Sequence, residues 1–123
     1  MAVATGVITA TRQAEFRKRL AAARVRVACT LAATDEERRA LASHGSPDIA
    51  EDVIGDVVGG LLERLQGRER HELDEIDAAL TRLEAGRYGL CEACRGPIPL
   101  ARLRAMPATR RCANCQINHE AGR

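Results

Sequence analysis

The chain has 123 residues, room for one domain or for one small domain with an extended element. Its 46% apolar content is dominated by 22 alanines, and its aromatic residues are Phe16 and Tyr88, with no Trp. That composition argues against a base-stacking nucleic-acid platform and against a many-stranded β fold, and a net charge of +2 does not by itself imply a polyanionic partner.

Residues 1–10 hold the longest apolar stretch, which is far below the roughly 20 residues a bilayer crossing needs. The stretch lacks the basic start of a signal peptide and reads as a flexible tail. Five cysteines without a secretion signal point to a reducing, cytoplasmic setting, where thiols meet metals more often than each other.

Residues 11–42 contain no Gly or Pro, and Thr11 suits an N-cap. Positions 16, 20, 23, 27, 30, 34, 37 and 41 alternate steps of four and three, a heptad seam that is apolar at its start (Phe16, Leu20, Ala23, Val27) and weaker towards Glu37. A turn follows: Gly45 ends the first helix, Ser46 caps the second, and Pro47 suits its first position. A turn this short predicts two antiparallel helices. The second helix is expected over residues 47–85, with a seam through Leu62, Gln66, Glu69, Leu73, Ile76, Leu80 and Leu83. Gly55, Gly59, Gly60 and Gly67 each cost about 1 kcal/mol against Ala in a helix interior, which predicts a softer distal hairpin kinked at Gly59-Gly60.

Charge divides the chain. Residues 86–123 are net +5 and residues 1–85 net −3; no Lys or Arg stands between Arg39 and Arg64, where Asp48, Glu51, Asp52 and Asp56 fall. The hairpin is therefore expected at residues 11–85 with an acidic tip near 44–56, above a zinc finger at 86–118 and a short tail at 119–123. The fold class is all-α, with a short C-terminal helix.

Cys91-x2-Cys94 and Cys112-x2-Cys115 are two paired knuckles separated by 17 residues. Four soft thiolates around a d¹⁰ ion fill every place of a tetrahedron, so the spacing predicts one structural Zn²⁺ with no open catalytic position. Free thiols, disulfides or an iron–sulfur cluster are the alternatives. His119 stands four residues past Cys115, as a substitute ligand or a solvent-facing helix residue, and Cys29 reads as a small half-buried helix residue.

Beyond the cysteines, the run from Ile76 to Cys91, with Leu83-Glu-Ala-Gly-Arg-Tyr-Gly-Leu-Cys91, and the run Pro97-Ile-Pro-Leu-Ala-Arg-Leu-Arg-Ala-Met-Pro through Cys112-Ala-Asn-Cys115 resemble the DksA/TraR family of four-cysteine zinc-finger proteins over about residues 73–118. The resemblance implies a monomeric partner of bacterial RNA polymerase, not an enzyme, whose coiled coil enters the secondary channel with acidic tip residues near the catalytic centre. Direct DNA binding is not required by that reading. The family's Asp-x-x-Asp-x-Ala tip falls on Asp48, Glu51 and Val53, with Asp52 as an alternative second acid. The same acids also suit a helix N-terminus. Positions where members place basic residues for the alarmone ppGpp match Glu75, Met106 and Gln116, with Arg68 alone retained, so weak or absent ppGpp dependence is expected. A usual Gly after the second knuckle cysteine is Arg95. Two other functions stay open: a zinc-ribbon nucleic-acid binder, with Arg102, Arg104, Arg110 and Arg111 on phosphates, and a thiol redox switch that releases zinc. Arg68 and those four arginines are the candidate basic contacts to a partner.

Overall fold

The computed structural model describes residues 8–43 and 49–122; the side chains of 43 and 49–53 lie outside that set. Among the described residues four helices form: α1 (Ala10–Ser43), α2 (Ile49–Glu84), α3 (Leu100–Ala105) and α4 (Ala113–Ala121). Among the described residues no strand forms, and an isolated antiparallel bridge pairs Leu90 with Pro97. No helix among them is long and apolar enough to cross a membrane. The chain divides into two compact units, Met1–Ala23 with Glu75–Arg123, and Arg24–Asp74.

Within Arg24–Asp74 the two long helices run antiparallel, because their partners count in opposite directions. Gln66 meets Asp35 and Arg38, Arg38 reaches Glu63, and Leu41 lies 3.8 Å from where a Cβ on Gly59 would stand. Val27 and Leu62 are buried here beside two polar residues, Thr34 and Gln66. Burying a polar group without a partner costs about 1–3 kcal/mol. Neither residue pays it: Thr34 donates its hydroxyl to the Thr30 carbonyl at 2.9 Å, and the Gln66 amide accepts from Arg38 at 3.0 Å while donating to Asp35. Paired at both ends, Gln66 sets the register of the two helices. Of the expected seam, Leu41 faces α2, while at the position before it the contact to α2 is made by Arg38 and not by Glu37.

Helix α2 runs unbroken through Gly55, Gly59, Gly60 and Gly67, where a kink was expected. At Gly59 the partner helix is close, with Leu41 of α1 at ordinary contact distance, 3.8 Å, from where a Cβ would stand. Packing by a neighbour outweighs intrinsic propensity.

The other unit is built around Phe16 and Leu20 of α1, Ile76, Ala79 and Leu83 of α2, and Tyr88, Ile98 and Leu103, all buried. Phe16 and Tyr88 pack with ring centroids 5.5 Å apart at a 44° tilt. The N-terminal end of α1 departs from expectation. Thr9 is the cap, accepting from the Arg12 N–H on its hydroxyl at 3.3 Å and from the Gln13 N–H on its carbonyl at 2.9 Å, two residues ahead of Thr11. Ile8 is buried, so the expected tail of residues 1–10 gives way to packed chain at Ile8. Its side chain lies 3.1 Å from where a Cβ on Gly89 would stand, and Gly89 has φ +89, a double requirement for glycine. Gly86, at φ +73, closes α2: its N–H donates to Leu83 O at 3.3 Å and the Arg87 N–H donates to Arg82 O at 2.8 Å. At the far end α4 reaches Ala121, so residues 119–121 of the expected tail are helical.

Candidate metal centre

The first knuckle is a tight turn. The Cys91 N–H donates to Gly96 O at 2.8 Å and the Arg95 N–H donates back to Cys91 O at 2.9 Å. Arg95 takes φ +65, the left-handed position that glycine usually fills, at a cost of order 1–2 kcal/mol. The second knuckle is made differently: Cys112 is the N-cap of α4 and Cys115 sits in its first turn. One backbone bond, Glu92 N–H to Arg110 O at 2.9 Å, joins the two knuckles.

These turns bring the four predicted sulfurs together, all within 4.8 Å of one another, with Cys94 Sγ and Cys112 Sγ 4.0 Å apart. A tetrahedral Zn–S₄ centre with bonds of about 2.3 Å has S···S edges of about 3.8 Å, so the cage fits zinc. His119 and Cys29 are exposed and stand outside this cluster.

Burial pushes the Cys91 thiol up, but backbone N–H groups of Cys94, Cys112 and Ala93 outweigh it and hold the group down at about 6. Cys115 is pushed up to about 12, because the neighbouring Cys112 and Cys91 sulfurs stabilise its protonated form. Near neutral pH the metal-free cage thus holds a mixture of thiolate and thiol. Zinc uptake must expel the remaining protons, and metal affinity rises with pH.

Around the cage runs a set of ion pairs that no local spacing announces. Arg110 makes a two-pronged pair with Glu75, at 2.8 and 2.6 Å, and approaches Glu92 at 3.7 Å. Arg111 reaches Glu92 at 2.8 Å, and Gln116 contacts both Arg111 and Glu120. Arg102 donates to the Arg111 carbonyl at 2.9 Å, and Arg82 donates to the carbonyls of Ala108 and Thr109. Burial lowers the Arg82 pKa, and the hydrogen bonds that Arg110 donates to Glu75 raise that of Arg110. A signal existed in hindsight: Glu92 directly follows a ligand and Arg111 directly precedes another, with opposite charge.

The predicted basic contacts therefore separate. Arg102, Arg110 and Arg111 are half-buried and engaged within the finger, while Arg68 and Arg104 are exposed. Of the predicted tip, Asp48 lies outside the described residues, as do the turn residues Gly45, Ser46 and Pro47; Glu51 and Asp52 are on α2 with side chains outside the described set.

Residues 86–121 match the model of the prokaryotic dksA/traR C4-type zinc finger. The structure of transcription factor DksA2 from Pseudomonas aeruginosa superposes with a TM-score of 0.81 at 31% identity, covering 91% of this chain and 85% of that one. The chain belongs to the DksA/TraR family. Its centre is accordingly a C4 zinc finger with one structural zinc, and such proteins are transcription factors rather than enzymes. The RNA polymerase-binding transcription factor DksA of Caulobacter vibrioides is 38% identical over 73 residues, 59% of this chain and 51% of that protein. A protein of Aquifex aeolicus is 47% identical over 64 residues, 50% of this chain and 44% of the other. The chain spans about half the length of these curated relatives.

Tyr88 offers a pH test of the finger's packing. Its hydroxyl donates to Pro107 O at 2.7 Å, and burial pushes its pKa up to about 12, above the ordinary 10. The folded state thus holds this proton more tightly than the unfolded chain. Its contribution to stability is full below pH 10 and is lost as pH rises from 10 towards 12. With one Tyr and no Trp in the chain, absorbance at alkaline pH reads this group alone. Ionisation is expected well above pH 10, together with loss of ellipticity; a tyrosinate transition near 10 in a still-folded protein contradicts this.

Proposed function

We propose that the protein is a transcription regulator that binds bacterial RNA polymerase through the secondary channel, with the hairpin end that carries Asp48, Glu51 and Asp52 directed towards the active site. The observation that carries this reading is the fold shared with DksA2 over 91% of the chain. The polymerase itself is brought by the Caulobacter relative, whose name states that partner. The interval without Lys or Arg between Arg39 and Arg64 gives the distal hairpin an excess of carboxylates, the charge needed to act near bound metal and nucleotide.

Dependence on ppGpp is weak in this reading. Glu75 is a carboxylate already committed to Arg110, and Gln116 is held between Arg111 and Glu120. Neither supplies the positive charge that pairs with phosphate. The nucleic-acid alternative is disfavoured for a related reason: Arg102, Arg110 and Arg111 each engage an acceptor within the protein, the Arg111 carbonyl, Glu75 and Glu92.

Competition on core polymerase tests the proposal. The zinc-loaded protein is expected to displace a labelled secondary-channel factor, and Asp48→Asn/Glu51→Gln/Asp52→Asn to displace it as well while losing the effect on transcription. Displacement is expected to change little with ppGpp. A protein that never displaces the factor, yet binds DNA through its late arginines, overturns the reading.

A further inference from the structure

The two halves of the metal centre are held in unlike ways. The first knuckle rests on the core: Cys91 is fully buried, and Tyr88 and Ile98, on either side of it in sequence, are buried as well. The second knuckle has no such footing. Helix α4, which has Cys112 as its cap and Cys115 in its first turn, buries none of its residues, and its one large apolar side chain, Ile117, is 61% exposed. Apolar packing, the usual fastening of a short helix, is therefore missing there. Polar contacts to the segment 108–111, which leads into Cys112, take its place. Arg82 donates to the carbonyls of Ala108 and Thr109, and Arg102 and the Thr109 hydroxyl donate to the Arg111 carbonyl. Arg110 pairs with Glu75 of α2, and Arg111 pairs with Glu92 of the first knuckle at 2.8 Å. A shallow hollow lined by Glu92, Ala93, Arg111, Cys115, Asn118 and His119 brings solvent to the Cys115 side of the cage, so the Glu92–Arg111 pair stands in its wall.

From this we propose that zinc leaves the centre by way of the second knuckle, and that the Glu92–Arg111 and Glu75–Arg110 pairs form a clasp that sets how fast it leaves. The ion fastens Cys112 and Cys115 to Cys91 and Cys94, and the knuckle with the weaker footing parts from it first. Each thiolate that lets go takes up a proton from solvent as a chelator takes the metal. A clasp differs from simple charge balance in the sign it predicts at Glu92. A Zn²⁺ ion with four thiolates is a dianion. Removing a neighbouring carboxylate relieves repulsion and, on electrostatics alone, slows loss of the ion. In the clasp the same change frees Arg111 and speeds that loss. This inference does not depend on the polymerase reading.

Zinc transfer from the zinc-loaded full chain to excess pyridylazoresorcinol, followed by the colour of the chelate, tests it. Glu92→Gln and Arg111→Gln, with wild-type ellipticity, are each expected to release zinc about fivefold faster, and Glu75→Gln about tenfold faster. The double variant Glu92→Gln/Arg111→Gln is expected to match either single one, because a single shared pair is lost. Hydrogen exchange on the same samples reads the order of opening. The Gln116 N–H, bonded to Cys112 O, is expected to exchange before the Cys91 N–H, bonded to Gly96 O, and to exchange faster still in Glu92→Gln. Release from Glu92→Gln at the wild-type rate or below overturns the clasp, as does a double variant whose rate is the product of the two, about twenty-five-fold. Exchange of Cys91 as early as Gln116 overturns the order of opening. If Glu92→Gln loses ellipticity, the exchange order in the wild type decides by itself.

Discussion

Cys91→Ser and Cys112→Ser are expected to lose the zinc and to unfold the finger while the helices of residues 24–74 keep their ellipticity. The magnitudes make this outcome one-sided. A structural zinc contributes roughly 10–16 kcal/mol of folding free energy, whereas whole domains are stable by about 5–15 kcal/mol. Little remains to compensate. Residues 86–122 bury Tyr88, Ile98 and Leu103 as their large apolar or aromatic side chains, and their two helices have six and nine residues. Isolated helices that short are marginal in water. The left-handed Arg95 and the charged groups drawn in around the knuckles add costs that a folded cage must offset. Elemental analysis with thermal melts checks this: about one zinc per wild-type chain is expected, with none retained tightly by either variant and a chelator reproducing the mutant spectrum. A variant that keeps its zinc and its melting temperature sinks the assignment of that cysteine. The Arg24–Asp74 unit is expected to survive because its register rests on Gln66 and on Val27 and Leu62, all within that unit, whereas the four cysteines belong to the other.

How far the sequence alone reached follows from the range of the interactions. Both knuckles are local, three residues from thiol to thiol, and were readable as a zinc site before any coordinate. The seam through Leu62, Gln66, Ile76 and Leu83 was readable for the same reason, since helical period repeats within a few residues, and all four are buried. What escaped is long-range. Glu75 and Arg110 are 35 residues apart and Asp35 and Gln66 are 31 apart, so no spacing marks either pair. The cap at Thr9 was missed for a different cause: Ile8 is anchored by residues near Gly89, so the helix starts where packing fixes the chain and not at the first good capping residue. The unbroken run of α2 through its glycines is likewise a partner effect. In each case tertiary contact overrode a weak local preference, as expected when propensities are worth at most about 1 kcal/mol per residue.

Phe16→Ala is expected to destabilise the unit Met1–Ala23 with Glu75–Arg123 by about 3–5 kcal/mol, the cost of removing a large side chain from a core that cannot close over the gap. Phe16 is 1% exposed, and of the two rings in contact at the centre it is the one that carries no polar atom to draw water into the gap. Its ring faces Tyr88, whose hydroxyl is fixed on Pro107 and so cannot follow the void. Arg19 lies over the Phe16 ring, 5.6 Å from its centroid, while its guanidinium donates to the Arg104 carbonyl at 2.8 Å. Deleting the ring thus loosens three things together: the Tyr88 stack, the seat of Arg19 and the link from α1 to the end of α3. Leu20→Ala, a smaller loss at an equally buried site, is expected to cost about 2–5 kcal/mol without the aromatic term. Denaturant melts of the two zinc-loaded variants separate these contributions. In Phe16→Ala the Tyr88 ionisation should also move down from about 12 towards 10 as water reaches the ring, a shift that Leu20→Ala does not produce to the same degree. Equal tyrosine titration in wild type and Phe16→Ala would mean that burial by the finger alone, and not the stack on α1, holds the Tyr88 proton.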